Sequence, residues 1–104
     1  MAPLLAFIDI FVESSYMDEV VAALSRLDNL EELYEVTGEF DIVTLVSASD
    51  IEEFRDVLKN KIMRIKGVKS TVSSIVLHTH KGPRTNGEQP AKPPHVPPTA
   101  TRLH

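Results

Sequence analysis

The chain of 104 residues contains no cysteine and no tryptophan. Without thiols there is neither a disulfide framework nor a thiolate metal site, so stability must come from burial of apolar area or from association. No basic start is followed by a signal-peptide core, and no apolar run approaches the ~20 residues that cross a bilayer, which leads us to expect a soluble, cytoplasmic protein without a membrane partner. Glycine is scarce as well, at four residues, and none of them forms a phosphate-cradling loop. Positive charge is short in the first 80 residues, where 14 Asp and Glu face 7 Lys and Arg. An acidic module without a basic stripe is not expected to bind nucleic acid directly. The length leaves room for one domain.

What is present reads as six elements. Leu4 to Val12 (LLAFIDIFV) is almost continuously apolar, as for a strand covered on both faces, and Asp9 is its single charge. Ser14 and Ser15 offer an N-cap, and Met17, Val20, Val21, Leu24 and Leu27 recur at helical spacing over roughly 16 to 27. Glu31 to Thr37 alternates as an exposed strand, Gly38-Glu39-Phe40 has the length and the glycine of a hairpin loop, and Ile42 to Ser47 reads as a buried strand. Ser49 with Glu52 forms a capping box before a second helix whose stripe is Ile51, Phe54, Leu58, Ile62 and Ile65, widened by Val57, with Gly67 as its stop. Ser70 to Thr79, rich in β-branched residues, completes the set as a last strand.

Strand, helix, strand, strand, helix, strand is the order of an α+β, ferredoxin-like βαββαβ unit, in which both helices cover one face of a four-stranded antiparallel sheet. Right-handed crossovers place the first and third strands at its centre. The first strand carries large apolar residues on both parities, Leu5, Phe7 and Phe11 on one and Ile8, Ile10 and Val12 on the other. Helices can hide only one of these sets, so we expect a homo-oligomer built on a sheet-to-sheet dimer. From Lys81 onward six of the seven prolines occur and neither periodicity survives, which divides the chain into a domain over 1–80 and a proline-rich, flexible tail over 81–104. Its two PxxP spacings are what any proline-rich linker produces.

No nucleophile and base pair is signalled. His78 and His80 would project to one side of the last strand, a spacing open to metal, but no third ligand lies near and solvated histidines explain them. We therefore expect no metal, no cofactor and no enzyme activity. Asp9 fits a contact at an oligomer interface, and Glu31, Glu32 and Glu35 fit a solvated strand edge. The hairpin is more suggestive. A free amino acid needs anionic acceptors for its ammonium and N–H or hydroxyl donors for its carboxylate. Glu39 or Asp41 can supply the first, and the backbone at Gly38 with the hydroxyls of Thr37, Thr71 or Ser73 the second. A tight turn with a capping acid accounts for the same residues.

Val36-Thr37-Gly38-Glu39-Phe40-Asp41-Ile42-Val43 and, at the right separation, Ile65-Lys66-Gly67-Val68-Lys69-Ser70-Thr71 resemble the ligand-binding (RAM) domain of the Lrp/AsnC, or feast/famine, transcriptional regulators. The resemblance covers roughly residues 4 to 80. It implies dimers joined through their sheets, assembly of dimers into larger discs, and an amino-acid effector at the contact between dimers. Position by position it places Thr37, Gly38, Glu39, Phe40, Asp41, Ser70 and Thr71 at that effector. Full-length members also carry a DNA-binding half, so the expectation here is a stand-alone effector and oligomerisation module, able to co-assemble with full-length relatives and so to modulate amino-acid-responsive transcription or metabolism. Two rivals share the topology: a small dimeric α+β barrel enzyme with a polar or histidine-bearing cavity between sheets, and a purely structural oligomerisation module.

Overall fold

A computed structural model describes residues 3–83. Four strands, β1 (Leu4–Val12), β2 (Leu30–Glu35), β3 (Ile42–Ala48) and β4 (Val68–Ile75), form one sheet in the order β2-β3-β1-β4, with every neighbouring pair antiparallel. The two most apolar strands are central, as the crossover rule requires. Helix α1 (Met17–Ser25) follows a 3₁₀ turn at Ser14–Tyr16, and helix α2 (Ile51–Asp56) runs on into a π-helical segment, Val57–Ile62.

The alternation of the strands is resolved into two faces. Ala6, Ile8 and Ile10 pair with Val46, Thr44 and Ile42, and all six side chains are fully buried or nearly so. They meet Val20 and Leu24 of α1 and Phe54, Val57 and Ile62 of the second helical segment in one core. Each Å² of apolar area this layer removes from water contributes about 25 cal/mol to folding. Thr44 is the sole buried polar side chain among the described residues, and its hydroxyl donates to the Ile8 carbonyl at 3.3 Å.

The opposite face carries Leu5, Phe7, Asp9 and Phe11 of β1 with Val43 and Leu45 of β3 and Val72 of β4, and no helix of the described residues lies over it. Phe7 is 44% exposed and Val72 48%. Asp9 lies between Val43 and Val72.

Local expectations shift in four places. Ser14 and Ser15 make no side-chain cap bond; the 3₁₀ turn instead leads the chain into α1. The cap of α2 sits one residue later than the Ser49–Glu52 spacing suggests. Asp50 Oδ1 accepts from the Glu53 N–H at 2.8 Å, because an ionised oxygen is a stronger acceptor than a hydroxyl. The second helical stripe is also redistributed. Val57 and Ile62 are both fully buried although residues five apart in an α-helix point about 140° apart; the π-helical hydrogen-bond repeat brings them to one side, while Ile51 at the start of α2 is 47% exposed. Finally, helical structure stops at Ile62, and Gly67 stands at a separate corner before β4.

The α2 cap provides a pH-dependent element. Glu53 Oε1 accepts from the Ser49 N–H at 2.6 Å and from the Ser49 hydroxyl at 2.9 Å. The Ser49 N–H first, then its hydroxyl and the Asn29 amide, with a smaller attraction from Lys61, hold the Glu53 carboxyl below its ordinary 4.5. A carboxylate whose folded pKa is depressed contributes stability above its unfolded pKa and loses it as pH falls through the folded one. Glu53→Ala is therefore expected to be less stable than wild type in urea at pH 7. The gap should close as pH falls below about 4.5, and a gap that persists unchanged to pH 2.5 would assign the effect to packing instead.

Candidate functional site

Residues 36–41 connect β2 to β3, a longer link than the three-residue loop expected, because β2 ends at Glu35 and Thr37 falls outside it. The loop is closed by the Val36 N–H donating to the Asp41 carbonyl at 2.9 Å. Gly38 has φ +115°, which L side chains seldom adopt, and a Cβ there would meet nothing within 4 Å. The glycine thus serves the turn, and its backbone faces open space.

Asp41 is tied twice to β1. Its N–H donates to the Ile10 carbonyl at 3.1 Å, and its Oδ2 accepts from the Val12 N–H at 2.8 Å. This second bond satisfies β1 where the register with β4 slips, between Phe11 and Val12. The capping role weighed for this acid is therefore real, and it occupies Oδ2 alone. Phe40 packs its ring against Phe11 at 4.6 Å between centroids, and Phe11 lies opposite Ser70 while Ile10 lies opposite Thr71. The hairpin (Thr37, Gly38, Glu39, Phe40 and Asp41) and the start of β4 (Ser70 and Thr71) are thus brought to one end of the sheet, bridged by the last residues of β1. Thr37, Gly38, Glu39 and Ser70 are exposed there, and Phe40, Asp41 and Thr71 half-buried. Ser73, farther along β4, lies opposite Ile8.

The other end of the open face holds a feature that sequence reasoning missed. A cavity of about 430 Å³ has Leu5, Phe7 and Leu45 as its floor, Glu32 beside them, and the segment from His78 to Pro83 as its further wall. His78 and His80 do not project from the last strand. β4 ends at Ile75, with one further ladder-like bond from the Val76 N–H to the Leu5 carbonyl at 2.8 Å, because β1 begins at Leu4 and offers no partner beyond. The chain leaves the sheet, and the two imidazoles meet edge to face at 4.7 Å. Counting the residues of β1 available for pairing is the signal that would have revealed this. No group of three His, Cys, Asp or Glu among the described residues is placed to hold a metal ion, and no helix among them is long and apolar enough to cross a membrane.

The family model of the Lrp/AsnC ligand-binding domain matches residues 5–85. The chain belongs to this family. A similar relative is the HTH-type transcriptional regulator FL11 of Pyrococcus horikoshii, 37% identical over 75% of this chain and 51% of its own. The chain spans about half the length of such curated regulators. Homocitrate synthase of Sulfurisphaera tokodaii is 37% identical over 69% of this chain but only 16% of the enzyme. Among solved structures, the feast or famine regulatory protein of M. tuberculosis complexed with L-methionine superimposes with a TM-score of 0.67, at 30% identity over 82% of this chain and 57% of that one. These agreements bear out the family resemblance and the four-stranded α+β fold, and the similar proteins are for the most part named as transcriptional regulators. The expected tail lies outside the described residues except for Lys81–Pro83.

Proposed function

We propose that this chain is a non-enzymatic amino-acid-binding and oligomerisation module, cytoplasmic, whose effector state modulates amino-acid-responsive transcription or metabolism. The observation that carries the reading is that the glycine-acid hairpin and the start of β4, with Ser70 and Thr71, both adjoin the last residues of β1 at one end of the sheet. Membership of the Lrp/AsnC ligand-binding family supports it, and so does the L-methionine complex of the mycobacterial relative. The open sheet face supports self-association, and the same face would let the chain co-assemble with full-length relatives that bring a DNA-binding half. Glu39 and the Oδ1 of Asp41 would take the ammonium; the hydroxyls of Thr37, Ser70 and Thr71 and the backbone at Gly38 would take the carboxylate.

The barrel-enzyme alternative acquires a histidine-bearing cavity wall from His78 and His80, which Thr79 and Lys81 also line.

Calorimetry with the twenty amino acids tests the reading. At least one is expected to bind wild type, and Asp41→Asn is expected to bind it at least about tenfold more weakly, since the amide can still accept from the Val12 N–H but carries no charge. Asp41→Ala leaves that N–H without a partner and should also lose about 1–3 kcal/mol of stability. Wild-type protein that takes up none of the twenty would leave the structural-module rival standing.

A further inference from the structure

The helix-free face is not evenly bare. Leu5 and Leu45 are each only 6% exposed, whereas Phe7 and Val72 on the same face are 44% and 48% exposed. No helix of the described residues lies over either pair. What lies over Leu5 and Leu45 is the segment that follows β4, since His78 to Pro83 form one wall of the cavity whose floor is Leu5, Phe7 and Leu45. Its seat is loose. The last backbone bond to the sheet is the one from the Val76 N–H to the Leu5 carbonyl, and beyond it Leu77 stands 92% exposed. The segment then holds to itself: the imidazoles of His78 and His80 meet edge to face at 4.7 Å, and Gly82 turns back to Thr79, whose Cγ2 is 3.7 Å from where a Cβ on Gly82 would stand. Protein interiors are close-packed, so the space of about 430 Å³ left under the segment means that it spans the floor instead of packing into it, and little dispersion contact holds it down.

The same floor is where the proposed second copy would stack. The two coverings exclude each other, because sheets packed face to face stand about 10 Å apart and their inner side chains fill the space between. We propose that residues 77–83 form an autoinhibitory strap, which shields Leu5 and Leu45 while the chain is alone and must be displaced from both copies before two sheets stack. The inference rests on the self-association read above. A strap in the same chain competes with a fixed strength, whereas pairing strengthens with concentration, so the strap sets a threshold below which the chain stays single. The threshold responds steeply to the strap. If each strap is open about a third of the time, pairing is weakened about tenfold, since both copies must be open.

Light scattering across a dilution series of the full chain measures the pairing constant, in wild type and in a variant carrying His78→Gly, Thr79→Gly and His80→Gly together. Glycine raises the entropic cost of seating the strap and removes the imidazole contact, and the three positions lie outside the core. The variant is expected to pair about tenfold more tightly. A second measurement sees the strap directly. The chain contains no cysteine, so Lys81→Cys offers a single thiol for a spin label. In dilute protein the label is expected to broaden the methyl resonances of Leu5 and Leu45 more than those of Val12 at the other end of β1, and that difference should fade as the mass doubles. A glycine variant that pairs no more tightly than wild type overturns the proposal and leaves self-association standing, and one that pairs more weakly does so by making the segment part of the interface. Uniform broadening in the dilute single chain overturns it too. If neither protein pairs at any concentration, self-association falls and the strap's role falls with it.

Discussion

Gly67→Ala is expected to destabilise the domain by about 2–5 kcal/mol, the sum of backbone strain and overpacking. Gly67 has φ +104°, and a Cβ placed there would come within 2.5 Å of the Tyr16 Cβ and 2.9 Å of Val20 Cγ2. Neither neighbour can yield easily. The Tyr16 atom sits next to its backbone, and Val20 is fully buried beneath β1. The corner is also pinned, since the Glu13 N–H donates to the Gly67 carbonyl at 2.8 Å and so ties the end of β1 to the start of β4. Gly38→Ala is the matched control. Its φ of +115° is similar but its surroundings are open, so it should lose only the strain, about 1 kcal/mol. The excess at Gly67 then measures the close approach alone. Urea unfolding at one protein concentration reads both. With a slope near 1 kcal/mol/M, the Gly67 midpoint should fall by about 2 M or more, against about 1 M for Gly38. Equal losses at the two glycines would show that the corner relaxes and that the contact with Tyr16 is unimportant.

On the self-association proposed above, Phe7→Glu is expected to leave the chain monomeric where wild type pairs. Phe7 occupies the face without helices, opposite Leu45 on one side and Ser74 on the other, with Asp9 two residues along the same strand. In a single chain the side chain is 44% exposed, so the substitution costs little there. Between two stacked sheets the new carboxylate would be buried close to Asp9 without a cation, at about 3 kcal/mol or more for each copy. Two copies contribute to one interface, which weakens association by about 10⁴-fold. Light scattering during gel filtration should give a wild-type mass near twice 11.6 kDa or a multiple of that, and 11.6 kDa for the variant. Capture of a full-length relative through the same face should disappear together with the dimer. Wild-type protein that is already monomeric at tens of micromolar would remove the basis for both the dimer and the co-assembly.

The order of elements, the central position of β1 and β3 and the split of β1 into two apolar faces were all legible in the residues, because each rests on periodicity or on chirality, which are local properties of the chain. The pair of motifs that carries the family resemblance is likewise written in contiguous residues. Partners across the sheet were not. Asp41 reads in sequence as an acid at the mouth of a strand, and only the fold reveals that one of its oxygens holds the Val12 N–H at the slip in register. His78 and His80 read as strand residues, since β-branched neighbours surround them, and the limit on β4 comes from the start of β1, more than 60 residues away.

The sequence by itself determined the fold class, the family and the need to cover a second apolar face, since these follow from which side chains recur at which spacing. Tertiary structure alone decided that Gly67 sits tight against Tyr16 and Val20, that Val57 and Ile62 share the core by way of a π-helical repeat, and that the segment from His78 to Pro83 forms a cavity with Leu5, Phe7 and Leu45. The reason is physical: each depends on the distance between segments remote along the chain, which packing fixes and local propensity does not encode.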